Sequence, residues 1–572
     1  MARPLAIYGE PGANVSQIIA IGNQIRRATG GAGALAKRIA GRWICDERAD
    51  CKQGESTKNP AFSRRGTGAM SGASDQWYEC VSPPSSRSVV LAQQRKFALF
   101  LGAFVLILNL CTPAQPDVTQ RLLASLIIIL ASIPTLLWFS GWDRGIPFLV
   151  IFGYIYATYY ALPIFLLENY TRDMDLVETI PSFFIGKALV LSFFGLCTLF
   201  IGYYIFPERI FWCILPRINF QWEDNRNIKI VGTIMSCVGI ITYVIKASVE
   251  SITGLDQAVH FMADLATISI AILYILQLRG CLELVGRCFL WGVVIPTRIL
   301  TGLATGATMQ GLEIVLLLIL IYAALKHSLP WKVLIAGGIA FLVLRPVQVP
   351  YRALTWDGGE AETRSLSAKV VLFLKTMNEF VVGEGMPYED ALQLSIFRLA
   401  HVMTFAEIIK TTPAQVPFWG GETLYPLLFK PIPRFLYPDK PQEDSGQTFG
   451  HRYGFLLPAD ESTSYNLPQL IELYGNYGVP GVLIGMFFLG FIYRVVQCIF
   501  IHPGMGLGAV VGGAYILSRL LLIESSLSLV IGGLFWIMVF LVLFHIVMKI
   551  TARCRMRSGD YLRCGHKSCR SQ

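Results

Sequence analysis

Charge is scarce in this chain of 572 residues: Asp, Glu, Lys and Arg together make up 15% of it, while 54% is hydrophobic. So few charges, with so many long apolar runs, exclude a soluble globular enzyme. Cysteine is absent between Gln348 and Tyr477, which excludes a disulfide framework there. No apolar h-region follows the first residues, so the N-terminal arm is not expected to be a secretory signal.

What the sequence has instead is a series of membrane-length segments. "LLASLIIILASIPTLLWFS", Leu122–Ser140, covers most of a bilayer core of about 30 Å at about 1.5 Å per residue. The net charge of +10 is concentrated at the ends: residues 1–96 carry about 14 Lys/Arg against 7 Asp/Glu, and residues 549–572 about 7 against 1. Basic flanks of this kind mark cytoplasmic termini rather than a nucleic-acid footprint, so no nucleic-acid partner is expected.

The expected fold class is therefore all-α and polytopic, with about twelve transmembrane helices and one large outer (periplasmic) loop. Residues 1–90 are an arm rich in Gly, Ser, Arg and Ala without periodicity, and Met70 offers an alternative start. Residues 91–347 hold nine spans, from Phe97–Cys111 to Trp331–Leu344; 348–477 form the large loop; 478–549 hold three more spans, from Val479–Ile501 to Leu527–Ile546; 550–572 are a basic tail. In that tail Cys554, Cys564, His566 and Cys569 lack the paired spacing of a strong zinc site and read as solvated, reduced cysteines.

The loops set an orientation. Arg95, Lys96, Lys326, Lys332 and the basic "PERIFWCILPRINFQWEDNRNIK" fall on one side, and the acidic "ENYTRDMDLVE" on the other. Twelve spans then put both termini inside and residues 348–477 outside. That loop holds about 10 Lys/Arg and 15 Asp/Glu, so positive-inside topology does not explain its cations.

Within it, Tyr388–Pro413 is expected to be one helix, with Glu389 and Asp390 in its first turn. Three residues apart, Arg398 and His401 would share a face, either to meet an anion together or as a snorkelling arginine beside a core histidine. Next comes "PIPRFLYPDKP", whose prolines preclude a regular helix and would hold Arg434 and Lys440 on a stiff frame, with Tyr437 suited to a sugar face or a membrane interface. "GQTFGHRYGF" sets glycines around His451 and Arg452, for close approach to a ligand or as a flexible turn. Pro468 is placed to start a helix carrying Glu472, and Gly475 to end it, with Glu461 just upstream.

"PRFLYPDKP", the glycine-rich segment after it and "ESTSYNLPQLIELYGNYGVPG" resemble the Wzy-type O-antigen polymerases, the oligosaccharide repeat-unit polymerases of bacterial inner membranes. The resemblance covers residues 398 to 481 and extends to the many-span layout. It implies a metal-independent membrane glycosyltransferase without cofactor that moves a glycan from undecaprenyl pyrophosphate to the hydroxyl of another lipid-linked repeat unit. The partners it implies are that lipid-linked glycan, the bilayer, a chain-length regulator and a flippase. On this resemblance His401, Arg398, Arg434 and Glu472 are the candidate catalytic residues. Lys440, His451, Arg452, Arg298, Arg519, Tyr437 and Glu461 are the candidate substrate-binding ones.

Three rivals stand beside it. A ligase of similar layout would use lipid A core as acceptor. "DMD", Asp173–Asp175, is the acidic pair of some metal-dependent glycosyltransferases, though its loop is acidic throughout. A transporter would place Lys187, Asp264, Arg298, Glu313, Arg519 and Glu524 along a polar path, but no inverted repeat is visible and the large loop would be superfluous.

Overall fold

A segment in hydrocarbon must satisfy every backbone N–H and C=O itself, and the α-helix is the solution open to a single segment. Helix is the only regular structure that the described residues contain. The computed structural model describes residues 87–112, 116–143, 145–167, 180–215, 218, 220, 222, 225–248, 256–304, 308–326, 328–356, 366–383, 385–432, 436–437, 440–441, 444–460, 463–502 and 505–567. The N-terminal arm, Asp173–Asp175, Arg434 and Glu461 lie outside them.

The helices are α1 (Arg87–Cys111), α2 (Val118–Phe139), α3 (Phe148–Tyr160), the short α4 (Pro163–Leu166), α5 (Ser182–Tyr204), α6 (Glu208–Ile214), α7 (Asn225–Ser248) and α8 (Asp256–Leu278). After α9 (Leu284–Phe289), a π-turn over Leu290–Val294 leads into α10 (Ile295–Ala304), followed by α11 (Thr308–Lys326), α12 (Trp331–Trp356) and α13 (Leu366–Val382). The chain ends with α14 (Tyr388–Leu399), α15 (His401–Thr411), α16 (Ser445–Arg452), α17 (Gln469–Phe500), α18 (Leu507–Leu520) and α19 (Leu527–Lys567). Among the described residues seven stretches, in α1, α2, α5, α7, α9–α10, α17 and α19, are long and apolar enough to cross a bilayer; α3, α18 and Met262–Leu278 are apolar but shorter. The chain is a multi-pass membrane protein.

Small residues let these helices approach closely where dispersion must hold them together. A Cβ on Gly202 of α5 would collide with the Phe487 carbonyl of α17, and one on Gly490 of α17 with the Leu199 carbonyl of α5. Two glycines thus seat α17 against α5. Helix α15 packs on the same α5, and α12 packs along α14.

Three local expectations are corrected. Tyr388–Pro413 is not one helix: Ala400 (φ −79°, ψ 60°) leaves the helical region, and α14 meets α15 at 52°. "GQTFGHRYGF" is not a flexible turn throughout, because Ser445–Arg452 is helical. The helix from Gln469 runs past Gly475 and breaks at Gly478 (φ 64°, ψ −144°), a left-handed conformation that glycine adopts without a Cβ penalty.

That break docks the loop. Pro480 has no N–H to return to the Asn476 carbonyl four residues back, and this carbonyl accepts Gly420 N–H at 3.2 Å. The Gly475 carbonyl takes Trp419 N–H at 2.9 Å, and Asn476 Oδ1 takes Gly421 N–H at 2.9 Å. Gly475 is needed for this seat, since a Cβ there would lie 2.6 Å from the Trp419 ring.

Candidate functional site

The turn between α18 and α19 carries Glu524 and is held rigidly. Gln469 N–H donates to Ile523 O at 3.2 Å, and its side-chain amide donates to Leu522 O at 3.3 Å. Behind it Glu472, fully buried, accepts the Leu527 N–H on Oε2 at 2.6 Å. A carboxylate at the first turn of α19 satisfies an orphan donor and complements the helix dipole.

Glu524 itself is a junction. Its Oε1 accepts the Tyr159 hydroxyl from the end of α3, and its Oε2 accepts Asn466 Nδ2 at 2.6 Å. His401 Nε2 sits 4.0 Å from Oε1, within reach for charge attraction, and its ring packs edge-on against Tyr159 at 4.7 Å. Burial alone would raise the Glu524 carboxyl. The His401 imidazole, the Tyr159 hydroxyl and the Arg345 guanidinium outweigh it and hold Glu524 below the usual carboxylate range.

Three arginines gather at the same place. Arg345 and Arg352 are seven residues apart on α12, two turns, and so project from one face. Arg398 comes from the last turn of α14, which packs on α12. The Arg352 guanidinium is lowered to about 10, first by burial and then by Arg345 and Arg398, against the pull of Glu524. Burial likewise lowers Arg345, with Glu524 and Tyr159 opposing and Arg398 adding to the shift. Three guanidiniums act here on one another and on one carboxylate among the described residues.

Of the residues singled out in sequence, Arg398 and His401 come together in this cluster, though across a helix break rather than along one face. Glu472 lies directly behind it, engaged with Leu527. Arg298 and Arg519 belong to a second cluster. Arg519 Nη2 is 2.6 Å from Asp264 Oδ1, and its Nε is 3.0 Å from Glu313 Oε1. Arg298 donates to Thr267 Oγ1 at 3.0 Å and stacks on the Tyr243 ring at 3.8 Å.

In the loop, Arg452 forks onto both Glu422 oxygens at 3.0 and 2.9 Å and lies over Trp419, while His451, its neighbour on α16, is half-buried. Lys440 Nζ donates to the carbonyls of Lys430 and Ile432 at 3.3 and 3.0 Å, and Tyr437 packs against Phe429 at 6.0 Å between ring centres. Lys187 lies over the Phe183 ring at 4.4 Å.

Sequence reasoning missed Arg345, Arg352, Tyr159 and Asn466, and placed Glu524 only among the charges of a transport path. A signal existed for the arginines: "LRPVQVPYRAL" sets two of them at a two-turn spacing, where a span ends.

A third charged group lies at the other end of α3. Arg494 of α17 reaches Glu208 Oε1 at 3.2 Å and Asp143 Oδ1 at 3.6 Å, and the Tyr204 hydroxyl donates to Asp143 Oδ2 at 3.3 Å. Among the described residues, two carboxylates face one arginine at this end.

Fold and clusters together define a class: a multi-pass membrane protein with a partly exposed arginine cluster beside a His–Glu–Tyr group, where a loop docks on the helices. A family model described as a domain of unknown function, DUF8712, matches residues 203–554, more than half of the chain, and the chain belongs to that family. The matched region holds all three arginines, His401 and Glu524. No curated protein and no solved structure matches the chain.

Proposed function

We propose that the chain is a membrane glycosyltransferase that polymerises lipid-linked oligosaccharide repeat units, with the glycan donor carried on undecaprenyl pyrophosphate. The observation that supports this most is the convergence of Arg345, Arg352 and Arg398 next to His401. A pyrophosphate leaving group gathers negative charge as its bond to the sugar breaks, and preorganised guanidiniums stabilise that charge where water is scarce.

In this reading the acceptor hydroxyl oxygen bonds to the donor's anomeric carbon while the bond from that carbon to the pyrophosphate oxygen breaks. The electron pair leaves with the pyrophosphate, facing the arginines. His401 takes the hydroxyl proton, and Glu524 stabilises the imidazolium that forms. Tyr159 and Asn466 fix the Glu524 carboxylate. Lys440 and Arg452, both engaged within the loop, drop to supporting roles, and Glu472 positions the turn that carries Glu524.

The finer topology belongs to the same proposal: about twelve spans in a bacterial inner membrane, both termini cytoplasmic, and residues 348–477 on the periplasmic side. Under that topology the ends of α3, α12 and α18 and the loop all meet on the outer side, where flipped lipid-linked units are found.

The test is incubation of the purified chain in lipid with lipid-linked repeat unit alone, products sized on a gel. A ladder supports polymerisation. Transfer only when lipid A core is added indicates a ligase instead. Movement of labelled lipid across the membrane with neither product refutes the enzymatic reading. Arg345→Gln, Arg352→Gln and Arg398→Gln should each abolish the ladder in protein that still folds.

A further inference from the structure

Part of the loop lies alongside a membrane-spanning helix rather than beyond its end. The Lys430 carbonyl accepts Trp536 Nε1 at 2.8 Å, and a Cβ on Gly532 would come 2.5 Å from Lys430 Cγ. Both partners are on α19, whose apolar span runs Leu527–Val547. Gly532 and Trp536 are five and nine residues into it, about 8 and 14 Å from its start. That depth lies inside the hydrocarbon of a bilayer about 30 Å thick.

Irregular backbone at such depth is tolerated only if its polar groups find partners within the protein. This stretch is built that way. Pro426, Pro431, Pro433, Pro438 and Pro441 carry no N–H at all. The N–H groups of Leu427, Lys430, Ile432 and Lys440 donate to the carbonyls of Leu424, Leu427, Phe429 and Tyr437. The Lys440 ammonium covers the carbonyls of Lys430 and Ile432. Among the described residues of this stretch the large exposed side chains are apolar: Leu428 is 72% exposed, Leu436 67% and Tyr425 54%. Helix α19, on which the stretch packs, likewise exposes Leu529 and Phe535.

We propose that residues 425–432, with Leu436 and Lys440, form a hook inserted in the bilayer beside α19, with Leu428 and Leu436 against lipid acyl chains and Lys440 capping its backbone. Prolines and lysine here make a non-helical segment compatible with a low-dielectric surrounding, and this holds whatever reaction the arginine cluster serves. The occupant is lipid because these exposed apolar side chains belong to a segment that packs on a membrane-spanning helix within its apolar span.

The experiment places the photoreactive residue benzoylphenylalanine at Leu428 or Leu436 of the full chain. The protein is reconstituted in phosphatidylcholine–phosphatidylglycerol vesicles, irradiated, and analysed by mass spectrometry. Phospholipid adducts at both positions are expected. Gly532→Leu, which pushes Lys430 off α19, should cut the yield at Leu428 several-fold. Lys440→Met, which keeps the stem but removes the donors, should do the same, so the result does not hang on one variant folding. Adducts only within the chain, adducts only to a second copy of it, or no lipid adduct at either position would overturn the proposal.

Discussion

Glu472 and Leu527 meet across 55 residues, the Glu472 carboxylate accepting the Leu527 N–H at 2.6 Å where α19 begins. The contact joins the helix entering the membrane from the loop to the helix that leaves the Glu524 turn. Leaving that donor buried without an acceptor costs about 1–3 kcal/mol, and loss of a helix N-terminal acceptor about 1 kcal/mol. Glu472→Ala should therefore lower stability by about 2 kcal/mol. Glu472→Gln keeps an acceptor oxygen and should lose less than half of that. Thermal unfolding of the two variants in one detergent checks the difference, and equal losses would rule out the capping role.

Arg352 presents a conflict between stability and function. Its guanidinium is lowered to about 10, first by burial and then by Arg345 and Arg398. The folded state thus binds this proton less readily than the unfolded chain. The penalty is fully present at neutral pH and is relieved as pH rises from about 10 toward the ordinary value of 12.5. Removing the charge should stabilise the ligand-free protein by about 1 kcal/mol, less than the full shift because water reaches part of the side chain. Arg352→Gln is expected to unfold at a higher temperature than wild type while losing about 100-fold or more in glycan transfer. A variant that loses stability and activity together would speak against an anion site.

Glu524 should show the opposite pH behaviour. Its folded carboxyl is held below the usual range by His401, Tyr159 and Arg345 despite burial. The stability it adds is complete above the unfolded value of about 4.3 and disappears as pH falls through its lower folded value. Glu524→Gln should cost roughly 1–3 kcal/mol at pH 7. The difference from wild type should close below about pH 4. Thermal midpoints of both proteins between neutral and acid pH provide the check.

Much of this was legible in the sequence, and the parts that were not have identifiable causes. Apolar runs announce α2, α5, α17 and α19 because hydrocarbon admits little else. The break at Ala400 was hidden because no proline or glycine marks it: α14 and α15 are one apolar pattern, bent so that α15 can lie on α5. Arg345 and Arg352 escaped because each borders a span end, where arginines usually snorkel. Only α14 packing on α12 turns them into a group with Arg398. Lys440 was visible as a cation, but its carbonyl partners depend on a turn that no local pattern specifies.

The final prediction concerns the second charged cluster, where Arg519 of α18 bridges Asp264 of α8 and Glu313 of α11. Taking three charges out of water is expensive, and their attraction repays it only while all are present. Arg519→Met leaves two buried carboxylates facing each other and should cost about 3–5 kcal/mol. Adding Asp264→Leu and Glu313→Met removes both the attraction and the desolvation, so the triple variant should regain most of the loss. If the triple variant keeps glycan transfer as well, the cluster fastens helices. If it folds as well as wild type yet loses transfer, the cluster acts on the site through α18, whose last turn leads into Glu524. Unfolding midpoints and ladder formation, measured on the same three proteins, separate the two roles.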